Sequence, residues 1–214
     1  MTNVTMHAPI SATAVADWFI ERALQLEEQD LSNLKLQKLI YLAHSLYLHR
    51  HHMTLISEDV PAWENGPAVK PVYGLYKGFG PDPIKKPALN IPRRQWPEDI
   101  EHTMLDIWTC FAGYSAWKLR EITHVAGPWK KHWQQGSRDV VIPVDEIAAA
   151  WEEFEAFAET AIVARADTTA AALARYAGLL SQLPETRREG DLDLLRREAE
   201  EHSDLTRRAS SLLA

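Results

Sequence analysis

Apolar residues recur at helical spacing through most of the first 158 positions. Val15, Trp18, Phe19 and Leu26 fall on one side of a 3.6-residue turn, and Ser11 stands where a cap is needed, so a first helix is predicted with that face turned to a core. Beyond Ser32 or Asn33 as the next cap, Leu36, Leu39, Ile40, Ala43 and Tyr47 form a second apolar stripe. Lys35, Lys38 and His49 lie off that stripe and are expected to point elsewhere. The helical period then fails over 54–67, where two prolines and an Asn-Gly pair are turn chemistry, so a short extended piece or hairpin is expected.

Pro71 suits the first turn of a third helix because its missing N–H goes unused there. Val72, Leu75, Tyr76 and Phe79 supply its buried side, and Gly78 and Gly80 end it. Pro81, Pro83, Pro87 and Pro92 keep the next stretch irregular. Pro97, Glu98 and Asp99 make a helix start with acids at the positive end of the dipole, followed at helical spacing by Ile100, Met104, Ile107, Trp108 and Phe111. Gly113 is placed to end that helix, and Ser115 opens a shorter one through Leu119 and Ile122 to about Val125. Gly127-Pro128 predicts a turn before Trp129 and Trp133, and 140–142 predicts a small strand. After Pro143, Ile147, Trp151, Phe154 and Ala158 share one face of a long amphipathic helix.

Composition divides the chain where the pattern alone does not. All 8 tryptophans lie at or before Trp151, while the chain after Phe157 is rich in Ala, Leu, Arg and Glu. The expected organisation is a mainly α, compact helical domain over 1–158 with at most one short β-hairpin, plus a helical C-terminal extension over 159–214. Two helices are predicted in the extension, about 169–183 and 192–212. The second has only a thin apolar seam of Leu195, Ala199, Leu205, Ala209 and Leu212. A seam that narrow suits a helical hairpin or an intermolecular contact better than a core, which makes Leu195, Leu205 and Leu212 candidate partner-binding positions.

The net charge of −7 repels nucleic acid as a whole-molecule field, and the basic pairs Lys85-Lys86, Arg93-Arg94 and Lys130-Lys131 are short. A single cysteine, Cys110, excludes an internal disulfide and a multi-thiolate zinc site. No stretch approaches the roughly 20 apolar residues needed to cross a bilayer, and the N-terminus lacks the pattern of a secretory signal. These features together lead us to expect a cytoplasmic protein that does not enter the membrane.

No catalytic constellation stands out along the sequence. His44, His49, His51 and His52 crowd one stretch, but the spacing of His44 and His49 puts them on different helix faces, and no carboxylate follows until Glu58 and Asp59. Neither a metal nor a cofactor is expected. GLYKGFG lies at a helix end, where a phosphate cradle needs a helix start, and Cys110 sits mid-helix on an apolar background. Glu64 in WENGP and His124 in THVAGPW are the most suspicious polar residues: an acid–base pair if buried together, and more ordinarily partners for backbone groups in tight turns. The expectation is a protein without enzymatic activity.

Four segments in order, LKLQKLIYLAHSLYL, VPAWENGPAVKPVYGLYKGFG, LREITHVAGPWKK and IPVDEI, resemble the Panacea domain, the SocA-like antitoxin family that also includes phage-associated proteins. The matching motif residues are Leu36, Gln37, Lys38 and Tyr41; then Trp63, Glu64, Gly66 and Pro67; then Thr123, His124, Pro128 and Trp129. The resemblance covers most of 12–155. It implies a helical antitoxin that neutralises a cognate protein toxin, encoded beside it, by direct contact. In one variant of the family the antitoxin delivers the toxin to an ATP-dependent protease. The motif residues are expected to serve mostly the fold. The rival of a nucleic-acid-binding regulator lacks a helix-turn-helix with a basic recognition helix and carries the wrong charge.

Overall fold

The computed structural model describes residues 8–26, 30–89, 96–125, 127–136, 139–158 and 160, and the chain divides into two units, Met1–Phe154 and Glu155–Ala214. The second unit is described only at 155–158 and 160, which are helical. The predicted helices at 169–183 and 192–212, with Leu195, Leu205 and Leu212, lie outside the described residues.

The first unit is built from helices α1 (Ala12–Gln25), α2 (Asn33–His51), α3 (Lys70–Tyr76), α4 (Glu98–Phe111), α5 (Ala116–Val125), α6 (Gly127–His132) and α7 (Val144–Ala149). Local chemistry starts most of them. Ser11 and Ser32 cap α1 and α2 by accepting from the amides of Ala14 and Lys35, and Ser115 accepts from Lys118 at the start of α5. Pro71 occupies the first turn of α3, and Glu98, Asp99 and Glu101 crowd the first turn of α4, where the dipole favours them. The predicted helix after Pro143 is interrupted at Ala150 and is helical again from residue 151, yet Ile147, Trp151, Phe154 and Ala158 are all buried. Gly127-Pro128, predicted as a turn, instead opens the short helix α6.

Strands β1 (Ala62–Trp63) and β2 (Gly66–Pro67) form an antiparallel hairpin that pairs Ala62 with Pro67 and Trp63 with Gly66. The turn is therefore made by Glu64 and Asn65, which keep negative φ, while Gly66 takes φ +94°. The predicted strand at 140–142 is realised as an extended segment bridging the base of this hairpin: Ala62 N–H donates to Val140 O at 2.9 Å and Ile142 N–H to Val60 O at 3.0 Å.

Helix α2 is the axis of the unit, packed against α1, α3, α4, α5, α7 and β2. This corrects the sequence expectation for Lys35 and Lys38, which are buried along with the apolar stripe rather than turned to solvent. A helix surrounded on every side has no polar face to offer until its last turn, where His49 is exposed. Both lysines bury their stems and finish on backbone carbonyls. Lys35 Nζ donates to Ala112 O at 2.6 Å, at the negative end of α4, and pairs with Asp30. Leu26 and Leu75, expected to face the core, are 48% and 51% exposed, because α1 has reached its C-cap at Leu26 and α3 is short enough to bury only Val72 and Tyr76. The proline-rich stretch is held by a buried carboxylate: Asp17 on α1 accepts from Tyr76 Oη and from the amides of Ala88 and Leu89.

Candidate functional site

The three groups of motif residues, far apart in sequence, meet around the hairpin. On α2, Leu36 and Tyr41 are buried, and the two residues between them that follow Leu36 reach outward to the hairpin strand and its exit. Gln37 Oε1 accepts from the amide of Val69 at 2.7 Å, and Lys38 Nζ donates to the carbonyl of Pro67 at 2.8 Å. On the opposite side, Trp129 of α6 donates its indole N–H to the carbonyl of Trp63 at 2.8 Å. Thr123 turns its hydroxyl back onto Leu119 and Arg120 carbonyls within α5, and Pro128 is buried at the start of α6. Side chains of α2 and α6 thus grip the backbone of one short hairpin and its exit.

Gly66 is where these grips converge. A Cβ placed on it would lie 2.6 Å from Lys38 Nζ and 2.9 Å from His124 Nε2, so this residue must lack a side chain as well as adopt positive φ. His124 stacks on Trp129 with ring centroids 3.6 Å apart and planes within 11°, and Trp129 stacks in turn on Trp133. Burial, with Arg120 and Lys38 beside it, lowers the His124 pKa to about 4, so its ring is neutral at neutral pH. Burial, reinforced by Arg120, likewise holds the Lys38 ammonium well below the usual lysine range. The sequence pattern carries no sign of this cluster of Lys38, Arg120 and His124, since its members come from α2 and α5.

Glu64 and His124 do not form the acid–base pair considered from sequence. Glu64 is exposed at the hairpin tip and presents its backbone carbonyl to Arg120, at 3.4 Å, while Arg120 Nε donates to Asn65 Oδ1 at 3.1 Å. The histidine-rich end of α2 is equally dispersed. His44 is buried with its pKa lowered to about 4 by desolvation, His51 packs on Tyr47, and His52 forms the left-handed cap at φ 54°. Among the described residues no group of three His, Cys, Asp or Glu side chains is arranged to hold a metal ion, and no helix is long and apolar enough to cross a membrane.

The profile of the family described as Antitoxin SocA-like, Panacea domain, matches residues 36–130, a span that begins in α2 and ends in α6. Antitoxin SocA of Caulobacter vibrioides (strain NA1000 / CB15N) is 31% identical over 130 residues, which cover 56% of this chain and 69% of the relative. No solved structure matches significantly.

Proposed function

The chain belongs to the SocA-like, Panacea-domain family of antitoxins, and from that premise we propose that it neutralises a cognate protein toxin by binding it directly, without chemistry of its own. The observation that carries this reading is the use made of four of the polar motif side chains. Gln37, Lys38, Thr123 and Trp129 are each engaged by backbone groups. An active site needs its base or nucleophile free to meet a substrate, whereas these side chains shape and stiffen a scaffold. Such a scaffold leaves partner choice to the exposed residues around it.

The reading is tested by expressing the neighbouring gene alone and together with this chain. Growth arrest by the neighbour, relieved by co-expression, with the two products purifying as one complex, is the expected result. Relief accompanied by disappearance of the neighbour's product, and lost when an ATP-dependent protease is deleted, would point to delivery for degradation instead. A neighbour that is harmless alone and does not co-purify would contradict the proposal.

A further inference from the structure

The most exposed large apolar side chain among the described residues is Trp117, at 60%. It stands in the first turn of α5, and Arg120, one turn on, lays its guanidinium over the indole ring at 4.8 Å from the centroid. Arg120 is held in that position from the other side by the hairpin tip, through Asn65 Oδ1 and the Glu64 carbonyl. Both of those partners are neutral atoms. The nearest carboxylate on the same helix, Glu121, is paired with Lys118 at 3.3 Å. Among the described residues the positive charge of Arg120 is therefore fixed in place without a contacting carboxylate to cancel it, in a chain whose net charge is −7.

His124 continues the ridge four residues further along α5 and carries it onto the stacked pair Trp129 and Trp133, both half-buried. Tryptophan and arginine are the residue types that most often supply the binding energy of protein interfaces, because one buried contact covers a large area and the other reads carboxylates with a rigid fork. An indole left mostly in water, with a pre-positioned guanidinium on it, loses little further freedom when a partner arrives.

We propose that the Trp117–Arg120–His124 ridge of α5, with the hairpin tip beside it, is the surface that docks the toxin, and that it takes an acidic side chain of the toxin onto Arg120 with an apolar neighbour against Trp117. The assignment rests on the antitoxin reading and adds to it the place and the chemistry of contact. Nucleic acid is the disfavoured occupant, because its phosphates would meet the field of an acidic protein.

The test uses the full chain and the purified product of the neighbouring gene, with binding measured by calorimetry at low and moderate salt. Trp117→Ala and Arg120→Glu should each weaken binding about thirtyfold or more, with the melting transition retained, while Lys85→Glu on the exposed proline-rich loop should bind as the unaltered chain does. Trp117→Ala guards against a trivial result, since that side chain is 60% exposed, whereas Arg120 also steadies the hairpin. Binding within about threefold of the unaltered chain for both variants would overturn the docking surface and leave the antitoxin reading standing. Failure of the unaltered chain to bind would remove both. An Arg120-dependent, salt-sensitive shift of duplex DNA would replace the protein occupant with nucleic acid and overturn the proposal.

Discussion

Lys38 and Pro67 are joined by a hydrogen bond of 2.8 Å between the lysine Nζ and the proline carbonyl, across the boundary between the central helix and the hairpin. The contact places a buried amine directly beneath the one residue of the hairpin that has no side chain, Gly66, and so ties the register of a four-residue sheet to α2. Replacing the lysine with an apolar isostere removes the cost of burying an amine but leaves the Pro67 carbonyl without this donor. We expect the second effect to dominate, and Lys38→Met to lose about 1–3 kcal/mol in denaturant unfolding. An unchanged midpoint would show that the contact contributes nothing net.

Gly66 and Gly74 should respond oppositely to alanine. At Gly66 the new methyl meets Lys38 and His124 in a backbone with φ +94°, and Gly66→Ala should destabilise by about 1–3 kcal/mol from backbone strain alone. At Gly74, inside α3, nothing lies within 4 Å of the added atom, and Gly74→Ala should gain about 0.5–1 kcal/mol from helix propensity. Melting temperatures of the pair measure both signs in one experiment.

Trp129→Phe isolates the indole N–H that reaches the Trp63 carbonyl, because the ring stack on His124 survives the change. The expected loss is about 1 kcal/mol, the ordinary net value of such a bond. Trp129 is only half-buried, so the larger penalty of emptying a core site does not apply in full.

Stability should fall as the solution is acidified from pH 7 to 5. His44 and His124 have native pKa values of about 4, below the ordinary value of about 6.5, so unfolding takes up protons between those limits. Their contribution is fully present above about pH 6.5 and is lost as pH falls through about 4. His51, also lowered, acts in the same direction. Glu146, whose carboxylate is lowered by Lys131 and His132, acts in a separate window below its ordinary value of 4.5. His124→Gln should therefore flatten the pH 7-to-5 slope of the melting temperature, and a slope that is flat already in the unaltered chain would contradict the account.

Much of this fold is legible in the sequence because the signals are local. Ser11, Ser32, Ser115 and the acids after Pro97 mark helix starts through atoms three or four residues away. Gly66 marks the hairpin, although the turn itself falls one residue earlier than the Asn-Gly pair indicates, at Glu64-Asn65. What periodicity misjudged depends on distant partners. Lys35 and Lys38 read as surface residues until Ala112 and Pro67 arrive, 77 and 29 residues away, to accept from them. Asp17 is an unremarked acid on a helix until the amide of Leu89, 72 residues on, finds it. The site divides the same way. The motif residues are recognisable by their order, but the exposed pairing of Trp117 with Arg120 needs the hairpin tip in place before it can be seen.

Under the proposed function, neutralisation is stoichiometric binding of a protein toxin. It is tested most directly by titrating the purified toxin with the purified full chain, with no other factor present, while following the activity by which that toxin arrests growth. A linear fall that reaches zero near one equivalent is expected, with recovery of the toxin intact from the complex. Activity that persists at excess chain, or that disappears at a small fraction of an equivalent, would contradict it.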